Sequence, residues 1–161
     1  MKAITFKPIG IIYSRFQKPE GTPIQPSAAK NSSGKVMIFE KYTPCLKDLE
    51  GFSHLFLIYH FNYLYKEYSP IVKPFLDDKM HGVFATRAPN RPNPIGLSIV
   101  KLNGIDDNIL FVSDLDIIDE TPLLDIKPFV PDFDNRENCR IGWLEGNIEN
   151  LQKAIDDGRF I

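Results

Sequence analysis

Six segments of this chain are apolar, rich in β-branched or aromatic residues and no longer than a strand, and glycine, proline and serine crowd the stretches between them. They are Ile9–Ser14 (IGIIYS), Lys35–Glu40 (KVMIFE), Ser53–Tyr63 (SHLFLIYHFNY), Gly82–Arg87 (GVFATR), Ile95–Leu102 (IGLSIVKL) and Asn108–Leu115 (NILFVSDL). Punctuation of this kind predicts short strands joined by loops and turns. The nearly continuous apolar run of Ser53–Tyr63 predicts a strand covered on both faces, and Asn103–Asp107 (NGIDD) predicts a hairpin turn between the last two strands. Only the C-terminal stretch reads as helical, with Asn147 as its cap, Ile148, Leu151 and Ile155 on one face and Gly158 behind it. With 161 residues, 43% of them hydrophobic, the chain is long enough for one real core, so a single domain over residues 1–161 is expected. A sheet of this size loses its exposed edges by closing on itself. The expected fold is therefore mainly β, a closed or partly open barrel with peripheral helices.

Phe84–Ser98 (FATRAPNRPNPIGLS) carries the most chemical information. Prolines 89, 92 and 94 fix three φ angles and push Ala88, Arg91 and Asn93 toward extended conformations. A loop stiffened in this way holds Arg87 and Arg91 at small entropic cost, as a site for a carboxylate, a phosphate or an adenine edge requires. Gly96 permits a close backbone approach or a bulge. A second stretch, Asp114–Pro128 (DLDIIDETPLLDIKP), alternates Asp114 and Asp116 with Leu115 and Ile117, so on a strand both carboxylates face the same side. Such a pair can accept from a ribose diol, attract a sulfonium or ammonium cation, or take a proton.

Several function classes are excluded. No GxGxxG or GxxxxGK[ST] pattern occurs, which argues against Rossmann and P-loop nucleotide sites. Ser53 in GFSHL lacks the second glycine of a nucleophile elbow. His54 and His60 share a face of their strand without a third ligand at metal-site spacing, so they read as core or pocket-wall residues and no metal is expected. His81 stands at a strand entrance, facing ligand or water. Cys45 and Cys139 form no CxxC pair and read as buried or idle thiols. Tyr59–Tyr65 (YHFNYLY) offers aromatics for a base to stack on or for the core. No apolar run is long enough to span a bilayer and no secretory leader is visible, so a cytoplasmic location is expected. Net charge is −2, but it is unevenly spread: residues 79–105 hold no Asp or Glu, and residues 106–126 hold seven acids and no Lys or Arg. A basic half beside an acidic half suits a site that handles both an anion and a cation.

FATRAPNRPNPIGLS together with LDIIDETPLLDIKPFVP resembles the paired signature of the TrmO (TsaA-like) family, and IGIIYS, the PIQP loop and GFSHLFLIYHF follow its N-terminal half in order. The resemblance covers residues 9–131. It implies a β-barrel unlike the common methyltransferase fold, a homodimer, and S-adenosylmethionine as the methyl donor. It implies as substrate the N6 of threonylcarbamoyladenosine immediately 3′ of the tRNA anticodon. By position, it implies cofactor contacts from Gln25 and Pro26, Asn62 and Tyr63, Arg87, Leu97, and Asp119, Glu120, Thr121 and Pro122. Relatives usually carry glycine where this chain has Glu120, and often arginine where it has Ile24.

The N6 nucleophile bears a carbamoyl group, so a base helps, and Asp114, Asp116 and Asp119 are the candidate catalytic residues. Arg91 and Asn93 are the candidate substrate contacts, with an arginine available for the threonyl carboxylate. The alternative is a protein that binds S-adenosylmethionine without chemistry, or a methyltransferase for a different small substrate.

Overall fold

The computed structural model describes residues 2–63 and 67–161. Six strands close into one antiparallel barrel in the order β1-β2-β7-β6-β3-β8 and back to β1, where β1 is Gly10–Tyr13, β2 Gly34–Ile38, β3 His54–His60, β6 Ile95–Asp106, β7 Ile109–Ser113 and β8 Thr121–Pro128. Two further two-residue strands, β4 (Ile71–Val72) and β5 (His81–Gly82), pair beside it. The barrel is a single domain with few helices, as its strand pattern predicts. Its interior is filled by alternate residues of each strand, among them Ile12, Val36, Leu55, Leu57, Val100, Leu110 and Leu123, all without solvent exposure.

β3 is the central strand, hydrogen-bonded to β6 from His54↔Lys101 to His60↔Ile95 and to β8 along its other edge. It is not covered equally on both faces. Leu55, Leu57 and Tyr59 point inward, and the outer His54, Phe56, Ile58 and His60 are half-buried. Phe129 supplies part of that outer cover, edge-on to His54 and Phe56 at 6.3 and 5.5 Å between ring centroids. The run looks continuous because an aromatic from the chain beyond β8 covers the second face.

Three local expectations are revised. β6 runs on to Asp106, and only Asp107 and Asn108 turn into β7, Asp107 with φ 50°. The stretch expected as a strand over Gly82–Arg87 pairs only through His81 and Gly82, then makes one 3-10 turn at Val83–Ala85. There the backbone finds side-chain partners in place of a ladder: Thr86 Oγ1 donates to the Val83 carbonyl, and Arg91 reaches the carbonyls of Val83, Thr86 and Ala88. The C-terminal helix is a 3-10 helix over Ile148–Lys153, and Asn147 does not cap it, since its amide donates backward to the Trp143 carbonyl at 2.8 Å. A four-residue helix α1 (Pro131–Asp134) precedes that segment. Both cysteines are exposed rather than buried. No helix among the described residues is long and apolar enough to cross a membrane.

Candidate active site

A cavity of about 740 Å³ opens where the end of β3, the start of β6, the proline-stiffened loop and the C-terminal segment meet. At its floor the half-buried Asp116 heads a hydrogen-bonded line that runs through Ser98 to Tyr59. The Ser98 hydroxyl donates to Asp116 Oδ1 at 2.7 Å, and its oxygen lies 3.2 Å from the Tyr59 hydroxyl, which is thereby the donor to Ser98. Tyr59 and Ser98 are 5% and 2% exposed. Gly96 makes this possible: a Cβ at that position would collide with the Tyr59 ring, so only glycine lets the phenol lie flat on β6.

Burial pushes the Asp116 carboxyl up from 3.8 to about 7, against the opposing pull of the Ser98 hydrogen bond and the Arg87 charge. The Tyr59 and Tyr63 hydroxyls are also pushed up, mainly by burial, with the Asp116 charge adding at Tyr59 and the Asp156 and Asp116 charges adding at Tyr63, so both phenols stay protonated. A carboxylate that titrates near neutrality in a cleft suits proton transfer at physiological pH.

The rim carries the cations. Arg87 Nη1 donates to Gln25 Oε1 at 2.7 Å and ties the two loops together across the cavity mouth. Arg91 has a different duty. Its Nη1 serves the carbonyls of Val83, Thr86 and Ala88 at 3.1, 2.9 and 3.3 Å, and its guanidinium lies over the Phe84 ring, so it clamps the loop that presents Arg87. Trp143 closes one wall: its indole N–H donates to the Ala85 carbonyl at 2.7 Å, and its ring stacks on His81, which is paired with Asp77 at 3.0 Å. That bond holds the Asp77 carboxyl below its usual range.

Of the residues singled out in the sequence, Gln25, Tyr63, Arg87, Arg91, Leu97 and Asp116 line the cavity together. Asp114 does not join Asp116. It lies past the end of β7 at φ 62° and accepts from the Asn31 amide at 2.9 Å, because the chain there is no longer a strand and alternation lapses. Asp119 is held at the end of β1, accepting from the Ser14 amide at 2.9 Å and from the Gln17 side chain at 3.0 Å. The turn it opens continues through Glu120 at φ 58° and the fully buried Thr121, whose hydroxyl donates to the Ile118 carbonyl, to Pro122 opposite Ile11. Within this turn region only Ile118 reaches the cavity wall. Pro26, Asn62 and Asn93 sit beside the site without lining it, and Tyr65 lies outside the described residues.

Trp143 and Asp156 escaped the reading of the sequence as site residues, Tyr59 was offered there only as a base-stacking or core aromatic, and Ser98, which supports Asp116 without lining the cavity, was not singled out. Ser98 had a signal, a hydroxyl at an inward position between Gly96 and Val100. Asp156 had none.

A family model described as the tRNA-methyltransferase O N-terminal domain matches residues 11–135. The chain belongs to the TrmO family. It is 57% identical to a probable S-adenosyl-L-methionine-binding protein of Pyrococcus abyssi over 98% of this chain and 85% of that one. It is 36% identical to the tRNA (adenine(37)-N6)-methyltransferase of Escherichia coli over 81% of this chain and 60% of that one. A solved TrmO structure superposes with a TM-score of 0.75 at 36% identity, covering 88% of this chain and 64% of that one. The chain thus spans most of the Pyrococcus relative and less than two thirds of the Escherichia coli enzyme or the solved TrmO.

Proposed function

We propose that this TrmO-family chain is an S-adenosylmethionine-dependent methyltransferase that acts on N6 of threonylcarbamoyladenosine beside the tRNA anticodon. The observation that carries this reading is the Asp116 carboxyl, titrating near 7 on the floor of a cavity whose rim bears Arg87.

The cavity fits the methyl donor. A volume of about 740 Å³ lies within the range of small-molecule sites, the aromatic wall suits adenine and a positively charged sulfur, and arginine suits a carboxylate. When bound, S-adenosylmethionine supplies an electrophilic methyl group. The chain itself must hold, align and deprotonate. Gln25, Tyr63, Arg87 and Leu97 hold the donor, with Pro26, Asn62 and the turn Asp119–Pro122 shaping the adjoining rim. The bound donor would supply the methyl carbon and leave as the thioether, and Asp116 would take the proton that N6 gives up. Ser98 and Tyr59 orient that carboxylate, and alignment in the cavity supplies most of the rate, an effect of roughly 7–11 kcal/mol in well-oriented reactions. Asp114 and Asp119 serve the fold, since both are committed to backbone amides. Arg91 fixes the loop, Asn93 flanks it, and Arg87 is the better partner for the threonyl carboxylate.

The chain acts as a homodimer in the cytoplasm. Support for the dimer is the apolar outer face of β6, where Ile99 is 38% exposed beside Ile95 and Leu97, which also line the cavity.

Labelled S-adenosylmethionine, offered with tRNA from cells able and unable to make threonylcarbamoyladenosine, tests the reading. Label in the modified tRNA alone is expected. Cofactor binding with no label in either tRNA would replace it with the second reading, a binding protein or an enzyme for another small substrate, which the name of the Pyrococcus relative favours.

A further inference from the structure

The C-terminal segment from Ile141 onward lies beyond the 11–135 span matched by the family model, yet it forms one wall of the cavity through Trp143, Leu151, Asp156 and Phe160. It is fixed there by backbone pairing. The Gly21 amide donates to the Asp156 carbonyl at 2.8 Å and the Asp156 amide donates to the Thr22 carbonyl at 2.9 Å, with Pro23 and Ile155 bridged alongside. Arg159 then donates to the Pro74 carbonyl at 3.0 Å, and Phe160, 7% exposed, packs with Val72, Val83, Ala88 and Phe75. The segment is therefore pinned at several points, and the position of Asp156 in it is determined on both sides of the residue.

Asp156 presents a carboxylate to the cavity with one internal partner, the Gly158 amide, which donates to Oδ1 at 2.7 Å. Burial pushes this carboxyl up, with Asp157 and Glu20 adding to the effect. Neighbouring Arg159 is occupied elsewhere, bidentate on Asp157. The cavity thus contains a second acid, apart from Asp116, that no cationic side chain pairs among the described residues. A half-buried carboxylate without a cation is costly unless a ligand brings one.

We propose that Asp156 is a specificity-determining residue of the site and holds a positive charge of the methyl donor, its sulfonium or its α-ammonium. This rests on the cofactor reading given above. The segment would then supply, from outside the 11–135 span of the family model, an anion to a cavity that Arg87 also lines.

Asp156→Asn is the informative variant, because asparagine keeps an oxygen for the Gly158 amide and removes only the charge. Calorimetric titration of wild type and D156N with S-adenosylmethionine and with S-adenosylhomocysteine, which lacks the sulfonium but keeps the ammonium, separates the two sources. Weakening of both ligands by roughly tenfold to a hundredfold, with no fall in melting temperature, supports a contact to the ammonium; weakening of S-adenosylmethionine alone supports the sulfonium. Asp157→Asn, which removes an exposed charge next to it, should leave both affinities unchanged. Equal affinities of D156N and wild type would overturn the proposal. Failure of wild type to bind either ligand would instead remove the cofactor reading on which it stands.

Discussion

Ser98 donates to Asp116 Oδ1 at 2.7 Å inside the barrel mouth, and this bond fails to offset the burial that drives the carboxyl up to about 7. The folded state therefore prefers the protonated acid. With a folded pKa above the ordinary 3.8, Asp116 contributes stability that is fully present below about pH 4 and is lost as pH rises through about 7. Asp116→Asn cannot ionise and keeps an acceptor for Ser98. It should match wild type in unfolding free energy at pH 4 and exceed it at pH 8, by an amount on the order of 2–4 kcal/mol, with the melting temperature following. Equal melting temperatures at both pH values would show that the carboxyl is not perturbed.

Gly96 lies beneath the Tyr59 ring, where a Cβ cannot fit. Gly96→Ala must displace the phenol and with it the Tyr59–Ser98 bond, an overpacking penalty of about 1–3 kcal/mol. Chemical denaturation should show the midpoint falling accordingly. An unchanged midpoint would mean that the ring moves freely and does not orient Ser98.

Arg91 holds three carbonyls of the loop that carries Arg87. Arg91→Ala removes a donor from the Thr86 and Ala88 carbonyls, while that of Val83 keeps Thr86, at a cost of about 1–3 kcal/mol, and the damage should be local. Hydrogen exchange should accelerate over residues 83–91 while the β3 and β6 amides keep their protection. Methyl transfer should fall as Arg87 loses its placement, and an unchanged rate would separate Arg91 from the site.

Glu120 occupies a left-handed conformation, φ 58°, at the position where the family resemblance leads one to expect glycine. A side chain in that region costs about 1–2 kcal/mol, offset in part by the greater chain entropy of glycine. Glu120→Gly should therefore raise stability by about 0.5–1 kcal/mol in thermal unfolding. A loss would mean that the Glu120 side chain makes a compensating contact.

Much of the barrel is legible in the chain because its strands are punctuated by turn residues and alternate cleanly, as in β6, where Gly96, Ser98, Val100 and Leu102 are buried and their neighbours exposed. The proline-rich loop is legible for a related reason, since three fixed φ angles leave few paths for Arg87 to take. Asp114 and Asp116 were misleading as a pair because strand alternation ends at Ser113, and no residue type announces that end. The wall formed by Trp143 and Asp156 was illegible as part of the site. It is irregular backbone whose place depends on bonds to Thr22, Gly21 and Ala85, far away in sequence, and short 3-10 turns carry no period to read.

The pH dependence of single-turnover methyl transfer to tRNA containing threonylcarbamoyladenosine tests the chemistry most directly. With Asp116 as proton acceptor, the wild-type rate should climb about tenfold per pH unit up to about 7 and then level off. Asp116→Asn should lose about 10²- to 10⁴-fold in rate, along with that inflection, while binding the methyl donor as tightly as wild type. A wild-type rate that is flat across pH 5–9, or an Asp116→Asn variant of undiminished rate, would contradict the assignment of the proton to Asp116.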